Sequence, residues 1–208
     1  MNSPDGERAD AASAREAGHR ARNALQLISS LILLQGRHSP DAAAGPAMAS
    51  LLTRVAAVSA AHRHTVQVDG GEQVDLAALI REIVGDLAKS AGREGVTIDL
   101  SLEPILAAGR LAPPLALWVN ETVGNALGHA FPGGRIGRVQ VALRQDAAGF
   151  ELCVEDDGAG RSSPTPGFGL TVVQLMVQQI RGQLDIADLN PGLRVSVTVP
   201  VSETQSRR

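Results

Sequence analysis

The sequence predicts an α+β protein in two parts: an N-terminal helical hairpin, followed by a two-layer α/β sandwich. Three observations predict this. Apolar residues recur at helical spacing through residues 14–37 and 47–63. The pair Gly70-Gly71 then marks a change of pattern. Beyond it, five short runs typical of strands share the chain with three helical segments, which is the pattern of helices packed on one sheet.

The N-terminal part, predicted at residues 13–66, follows a polar and disordered stretch at 1–12. Apolar residues cover more than half of the first helix, so it needs several partners. The stretch "HSPDAAAGPA" breaks that helix, and the second runs from about Ala47 to Arg63. Two such hairpins would complete a four-helix bundle, so the sequence predicts a homodimer. Packing against the rest of the same chain is the alternative.

The second part is predicted at residues 74–201, after a linker at 65–73. Each element follows from a local signal. In order, these are a helix at 75–91 capped by Asp75, a strand at 96–102, a helix at 112–131 entered through Pro113-Pro114, a hairpin of strands 138–145 and 149–157, a helix at 170–181 stopped by Gly182, and strands at 183–189 and 193–200.

Composition excludes several classes of function. With 19 basic and 22 acidic side chains, the chain lacks the basic surface that nucleic acid requires. The single cysteine, Cys153, lies in an apolar run and suits a reducing cytoplasm. The polar N-terminus is not a signal peptide, and "LISSLILL" is too short to span a bilayer. We therefore expect a cytoplasmic protein without a membrane partner.

The helix at 112–131 carries Glu121, Asn125 and His129 at spacings of four residues, which puts them on one face. Polar groups on an otherwise apolar helix must find partners or line a cavity. An asparagine oxygen is a suitable ligand for Mg²⁺, which bridges to phosphates. A merely solvent-facing stripe is the other interpretation.

Two glycine-containing stretches follow this helix. "EDDGAG" closes a strand with Asp156, whose carboxylate can accept a hydrogen bond from an exocyclic amine, while Gly158 and Gly160 let backbone approach a ring. "PGFGL" puts Gly167 and Gly169 directly before a helix, where free N–H groups can accept phosphate. Either stretch alone is weak; their order along the chain makes the pattern specific.

Four stretches together resemble the histidine kinase core of the HWE and related group, a branch of the GHKL superfamily of ATP-binding proteins. "NETVGNALGHAFPGG" resembles its N box, "DDGAG" and "GFGL" its two glycine boxes, and "GHRARNALQLISSLILLQ" its histidine box. The resemblance covers residues 14–200. It implies a Bergerat-type ATPase sandwich after the dimerisation hairpin, with ATP and Mg²⁺ as cofactors.

The resemblance also implies roles for individual residues. His19 would be the phospho-accepting histidine, with Arg20, Arg22 and Asn23 holding the phosphoryl group. In the N box, Asn125 would bind Mg²⁺, Glu121 would orient water or the metal, and Asn120 and His129 would face the phosphates. Asp156 would read the adenine amine, and the glycines Gly158, Gly160, Gly167 and Gly169 would shape the nucleotide pocket and its lid.

The implied activity is a histidine kinase that phosphorylates His19 from ATP and passes the phosphoryl group to an aspartate of a response regulator. The chain departs from the family pattern in a short lid at 161–166 and in Gly128, where a lysine is common; Arg22 for the usual lysine keeps the charge. Few residues precede His19, so a separate sensor protein is expected. The alternatives are a histidine phosphotransferase with a degenerate nucleotide site and a protein that only binds a regulator.

Overall fold

The structure is a computed structural model that describes residues 44–68, 71–160 and 168–200. The predicted first helix lies outside these ranges, as do the stretch at 1–12 that was predicted to be disordered and the whole predicted lid at 161–166. His19, Arg20, Arg22 and Asn23 are therefore outside the described residues, and so is Gly167.

The described chain contains four α-helices and eight strands. In order, these are α1 (Ala44–His64), β1 (Thr65–Val68), β2 (Gly71–Asp75), α2 (Leu76–Ala91), β3 (Val96–Leu102), β4 (Leu106–Ala108), α3 (Ala112–Asn125), β5 (Gly137–Gln145), β6 (Gly149–Asp156), α4 (Phe168–Gln179), β7 (Gln183–Asp188) and β8 (Leu193–Pro200). None of the described helices is long and apolar enough to cross a membrane.

The main sheet has five strands in the order β3-β5-β6-β8-β7. β3 and β5 are parallel, and the other neighbours are antiparallel. Alternate residues of β5 and β6 belong to the hydrophobic core, as expected when helices cover one face of a sheet. These inward residues are Val139, Val141, Leu143, Phe150, Leu152 and Val154. The predicted two-layer α/β sandwich, with its five strands and three helices, is confirmed.

The segment predicted to be a linker is instead structured. β1 and β2 form an antiparallel hairpin across it, and β4 adds to β2 to complete a second, three-stranded sheet. Val74 of β2 is completely buried, which explains why this hairpin stays attached to the domain. The three residues of β4 were too few to give a recognisable pattern in the sequence.

Helix α1 packs on α2 and α3 of the same chain. Its buried side is made of small residues, Ala57, Ala60 and Ala61, which allow the helix axes to approach closely. At its C-terminal end, Arg63 and His64 both contact the carboxylate of Glu82, with His64 Nε2 2.6 Å from Oε2. Arg63, followed by His64, lowers the pKa of Glu82. The predicted homodimer stays a prediction.

The α/β domain follows most of the predicted boundaries, and the differences lie in two of its helices, α3 and α4. Asp75 caps α2 as predicted, since its side chain accepts a hydrogen bond of 3.0 Å from the N–H of Ala78. The helix predicted at 112–131 changes at Asn125 into a π-helical turn, Ala126–Ala130. At the end of α4, Arg181 rather than Gly182 adopts the left-handed conformation, and the Gly182 N–H bonds to the carbonyl of Val177.

Candidate functional site

The site is built on α3, whose apolar side is anchored in the core. Trp118, Val119 and Val123 are completely buried. The polar residues Asn120 and Glu121 on the same helix are also buried, with 4 % and 6 % of their surface exposed. Buried polar groups of this kind require partners. The partners that these two side chains find define the site.

Glu121 is held by an arginine from α1. Arg54 Nε donates to Oε1 at 2.8 Å, and Nη2 donates to Oε2 at 2.9 Å, which is the bidentate geometry of a strong ion pair. This carboxylate raises the pKa of Arg54, against the opposing effect of its burial. The Glu121 carboxylate therefore has its charge compensated inside the protein.

Asn120 extends the same group of polar atoms. Its Nδ2 donates to Glu121 Oε1 at 3.1 Å. Its Oδ1 is buried and has no hydrogen-bond partner among the described residues. An unpartnered buried acceptor next to a cleft is an unusual arrangement, and a ligand donor or a water could satisfy it.

The N-terminal turn of α4 meets this group at Gly169. A Cβ atom at Gly169 would lie 3.0 Å from Glu121 Oε2, 3.1 Å from Asn125 Nδ2 and 3.4 Å from Asn125 Oδ1. The Glu121 carboxylate and the Asn125 amide therefore both lie next to Gly169, where the lack of a side chain leaves room for them. Gly169 is the second residue of α4, whereas the sequence predicts it directly before the helix. Its N–H still belongs to the first turn, where N–H groups have no partner within the helix.

The first glycine box contacts the backbone of the N box at Ala130. Gly158 must be glycine, because a Cβ there would lie 2.4 Å from the carbonyl oxygen of Ala130. The N–H of Ala159 donates to that same oxygen at 2.8 Å. Gly160 adopts a positive φ of 74°, which L-residues rarely adopt. The two boxes that the sequence separates are thus in direct contact, next to His129.

Asp156 lies at the buried end of β6. Its Oδ1 accepts a hydrogen bond of 2.9 Å from the N–H of Gly158, so one carboxylate oxygen has a fixed orientation. Burial raises the pKa of Asp156, and the backbone N–H groups of Gly158 and Leu193 oppose that shift. The neighbouring Asp157 binds the N–H of Arg138 instead and is exposed.

A cleft of about 490 Å³ runs along α3 between α1 and the end of α2. It contains four of the predicted N-box residues, which the structure thus brings together. Its lining includes Asn120, Glu121, Asn125, His129, Arg93 and Gly128. Asp156 is not among the described residues that line this cleft.

Two residues of this site were not identified from the sequence. Arg54 comes from a helix that was assigned only to the hairpin, and Arg93 follows α2. Arg93 donates to the carbonyl oxygens of Phe131 at 2.7 Å and Gly128 at 3.0 Å. An arginine in the apolar pattern of α1 was the only available signal for Arg54.

The donors present suit Mg²⁺ bound through a nucleotide. Mg²⁺ keeps several waters and takes one or two protein oxygens together with phosphate oxygens. Asn125 Oδ1 and Glu121 Oε2 supply such oxygens on the same side of Gly169. The described residues contain no cluster of three or more His, Cys, Asp or Glu side chains that could hold a metal without a nucleotide.

Two family models match the chain. A histidine kinase model matches residues 16–91, and a histidine kinase-like ATPase domain model matches residues 71–189. The first match includes the predicted histidine box, and the second includes the N box and both glycine boxes. The predicted resemblance is confirmed.

Individual relatives agree with the models. The sensor histidine kinase PdtaS of Mycobacterium tuberculosis is 28 % identical over 91 % of this chain and 40 % of its own length. Blue-light-activated histidine kinase 2 of Erythrobacter litoralis is 27 % identical over 92 % of this chain and 58 % of its own length. The chain thus spans 40 to 58 % of these two relatives.

A solved structure has the same fold. The histidine kinase domain from the Erythrobacter litoralis EL346 blue-light activated histidine kinase matches with a TM-score of 0.69, covering 91 % of this chain and 94 % of that domain at 23 % identity. At that identity the likeness concerns the fold. Since the ATPase model alone covers more than half of the chain, the protein belongs to the histidine kinase-like ATPase domain family.

Proposed function

We propose that the chain is the core of a two-component histidine kinase that phosphorylates its own His19 from Mg-ATP. The observation that carries this proposal is the convergence of Glu121 and Asn125 above Gly169, at the first turn of α4. Side-chain oxygens meet there with N–H groups that have no partner within the helix, which suits a metal-bound triphosphate. Both family models support the proposal, because one describes a histidine kinase and the other a histidine kinase-like ATPase domain.

The proposed reaction is an in-line phosphoryl transfer. A lone pair on a neutral imidazole nitrogen of His19 forms a bond to the γ-phosphorus, the bond from that phosphorus to the bridging oxygen of ADP breaks, and the imidazole releases its proton. Mg²⁺, when bound, neutralises charge on the phosphate oxygens. The imidazole is neutral at neutral pH because its ordinary pKa is near 6.5. Positioning by the protein supplies most of the catalysis in such transfers.

In this proposal each group of site residues has its own role. Asn125 would hold the metal and Glu121 would orient water or the metal, Asn120 and His129 would face the phosphates, and Asp156 would accept a hydrogen bond from the adenine amine. Gly158, Gly160, Gly167 and Gly169 shape the pocket. Arg20, Arg22 and Asn23 stabilise the phosphoryl group on His19.

The partners follow from the chemistry. A phosphohistidine is a donor for an aspartate on the receiver domain of a response regulator. We propose such a domain as the partner, in the cytoplasm, with the kinase acting as a homodimer. The described residues provide no feature that favours a histidine phosphotransferase, so that alternative becomes an outcome of the test.

Binding of Mg-ATP to the full chain, measured by calorimetry, is the first test. We expect binding in the wild type and loss of binding in Asn125→Ala. Gln178→Ala removes an amide from the exposed part of α4 and serves as the matched control, with binding unchanged. Absence of binding to the wild type at millimolar ATP would overturn the kinase proposal and leave a relay loaded only from a phosphorylated receiver domain.

Transfer to histidine is the second test. The chain is incubated with ATP carrying a labelled γ-phosphate, and the label is expected to be acid-labile and absent from His19→Ala. Label that survives acid, or that remains in His19→Ala, would contradict the assignment of His19. The labelled chain should then lose its phosphoryl group to a receiver domain.

A further inference from the structure

Arg93 has an unexpected position in the candidate site. It lies between α2 and β3 and is half-buried. Its Nη1 donates to the carbonyl oxygen of Phe131 at 2.7 Å, and its Nη2 donates to that of Gly128 at 3.0 Å. These carbonyls belong to the π-helical turn that ends the N box and to the residue after it. The guanidinium is therefore fixed beside the N box by backbone that is 35 to 38 residues away in the chain.

The charges of the side chains that line the cleft favour the binding of an anionic ligand at Arg93. Among the described residues that line it, Arg93 is the only arginine or lysine. Glu121 is the only carboxylate in that described lining, and Arg54 compensates it through two hydrogen bonds. Arginine keeps its positive charge at any pH that proteins tolerate. The charge on Arg93 is therefore left available to an anionic ligand.

The geometry leaves room for such a ligand. A guanidinium has five N–H groups, and the two bonds to Phe131 and Gly128 use two of them. Gly128 is exposed, and a Cβ atom there would meet nothing within 4 Å. The space next to the guanidinium is thus open on the side of Gly128.

We propose that Arg93 binds the phosphates of the nucleotide and supplies the positive charge that Gly128 cannot. This inference rests on the proposed function, because it assigns a further residue to the same nucleotide site. Arginine suits the role, since its planar fork can bond to two phosphate oxygens. The two carbonyls hold the fork in place before the ligand arrives, which reduces the entropy that binding costs.

A purely structural role is the competing explanation. Arg93 could simply cap the last carbonyls of the N box, where a cation is favoured by the helix dipole. Such a cap would affect folding and the binding of every ligand equally. A phosphate-binding role affects only ligands that carry phosphate.

The test compares the affinity of the full chain for Mg-ATP, Mg-ADP and adenosine. The variant is Arg93→Gln, which loses the charge but keeps an amide that can donate to a carbonyl. We expect Mg-ATP to bind about 10- to 100-fold more weakly, as for loss of one hydrogen bond to a charged group. We expect adenosine affinity to change less than about threefold. Arg93→Lys should retain most of the Mg-ATP affinity.

A rescue experiment makes the test specific. Adding Gly128→Lys to Arg93→Gln places an ammonium group in the open space beside the N box, and it should restore most of the Mg-ATP affinity. Gly128→Ala in the same background is the matched control and should restore none. If Arg93→Gln fails to fold, Gly128→Glu against Gly128→Gln in the otherwise wild-type chain tests the same charge, and the glutamate should weaken Mg-ATP binding selectively.

The outcomes separate this inference from the proposed function. A wild type that does not bind Mg-ATP overturns the proposed function, and the assignment of Arg93 falls with it. A wild type that binds Mg-ATP, with Arg93→Gln binding it equally well, overturns only the role of Arg93. Equal losses for adenosine and Mg-ATP also overturn that role, because they indicate a structural cap.

Discussion

Arg54 and Glu121 form a bidentate ion pair across 67 positions of the sequence, with bonds of 2.8 and 2.9 Å. The pair joins α1, which follows the predicted histidine helix, to the start of the N box. The side chain of Glu121 is 6 % exposed and that of Arg54 is 19 % exposed. A carboxylate this well buried is stable only while its partner is present.

We expect Arg54→Ala to lower the free energy of unfolding by about 3 kcal/mol, the low end for removing one partner of a buried pair, because Arg54 retains some contact with solvent. Most of the loss comes from leaving the Glu121 carboxylate buried without a counter-charge. Urea unfolding of the full chain measures it. The double variant Arg54→Met with Glu121→Leu should recover most of the loss, since an apolar pair needs no compensation.

A second ion pair, Arg138–Asp99, has the same separation but is much more exposed, so it serves as a control. Arg138 Nε lies 2.8 Å from Asp99 Oδ2, but both side chains are about half exposed. Arg138→Ala should therefore cost less than about 1 kcal/mol. Equal costs for Arg54→Ala and Arg138→Ala would show that burial does not set the strength of the Arg54–Glu121 pair.

Substitution of Gly169 tests whether the first turn of α4 forms part of the proposed metal site. Gly169→Ala would push a methyl group against Glu121 Oε2 and Asn125 Nδ2, at 3.0 and 3.1 Å. Overpacking of this kind costs about 1–3 kcal/mol. Because relief of the contact moves the two side chains out of place, we expect the affinity for Mg-ATP to fall by about 5- to 160-fold. Calorimetry on the full chain measures the change.

Gly85 in α2 provides the matched control, because a Cβ there would meet nothing within 4 Å. Gly85→Ala should stabilise the chain by about 1 kcal/mol through helix propensity alone and leave Mg-ATP affinity unchanged. If Gly169→Ala bound Mg-ATP as tightly as Gly85→Ala, the convergence above Gly169 would not be the metal site.

Much of the fold could be predicted because its signals are local. The alternation in residues 96–102 and the cap at Asp75 each involve a few neighbouring residues, and the structure places β3 and the start of α2 at those positions. The hairpin of β1 and β2 was missed, since its pairing with β4 depends on residues 106–108, more than 30 positions further along. The break of the N-box helix at Asn125 coincides with hydrogen bonds from Arg93, another distant residue.

The same distinction applies to the site. Glu121, Asn125 and His129 were identified by their spacing on one helix, and the structure places all three on one cleft. Arg54 and Arg93 were missed because their roles depend on partners 67 and 35 to 38 positions away, and a single sequence carries no signal for such pairs. The roles of the predicted residues stay predictions until nucleotide binding is measured.

Cys153 offers a chemical probe of the sheet. It lies on β6 between Glu151 and Glu155, and burial raises the pKa of its thiol to about 11, while Arg194 opposes that shift. Because the thiolate is the reactive form, a pKa of about 11 instead of the ordinary 9.0 lowers the thiolate fraction at pH 8 about 100-fold. We expect thiol-reactive dye to label the folded chain at pH 8 far more slowly than the chain in urea. Fast labelling without denaturant would contradict this burial.

The ionisation of Asp156 makes the free energy of unfolding depend on pH. Burial raises its pKa above the ordinary value of 3.8, so the folded state binds the proton more tightly than the unfolded state. Stability that depends on this group is therefore lost as the pH rises from about 3.8 through the raised pKa, and the loss is constant above it. Because Asp156→Asn removes this titration, its urea midpoint relative to that of the wild type should rise between pH 4 and pH 7. Parallel curves over this range would contradict the effect of burial.

The same substitution should weaken Mg-ATP binding. An asparagine oxygen can still accept the hydrogen bond from Gly158, but the other acceptor becomes an NH₂ group, which cannot accept from an adenine amine. The variant should therefore combine weaker Mg-ATP binding, measured by calorimetry, with the changed pH dependence of its stability. Asp185→Asn, which changes an exposed carboxylate on β7, should alter neither property. If Asp156→Asn kept its affinity, the adenine amine would have to find its acceptor elsewhere in the pocket.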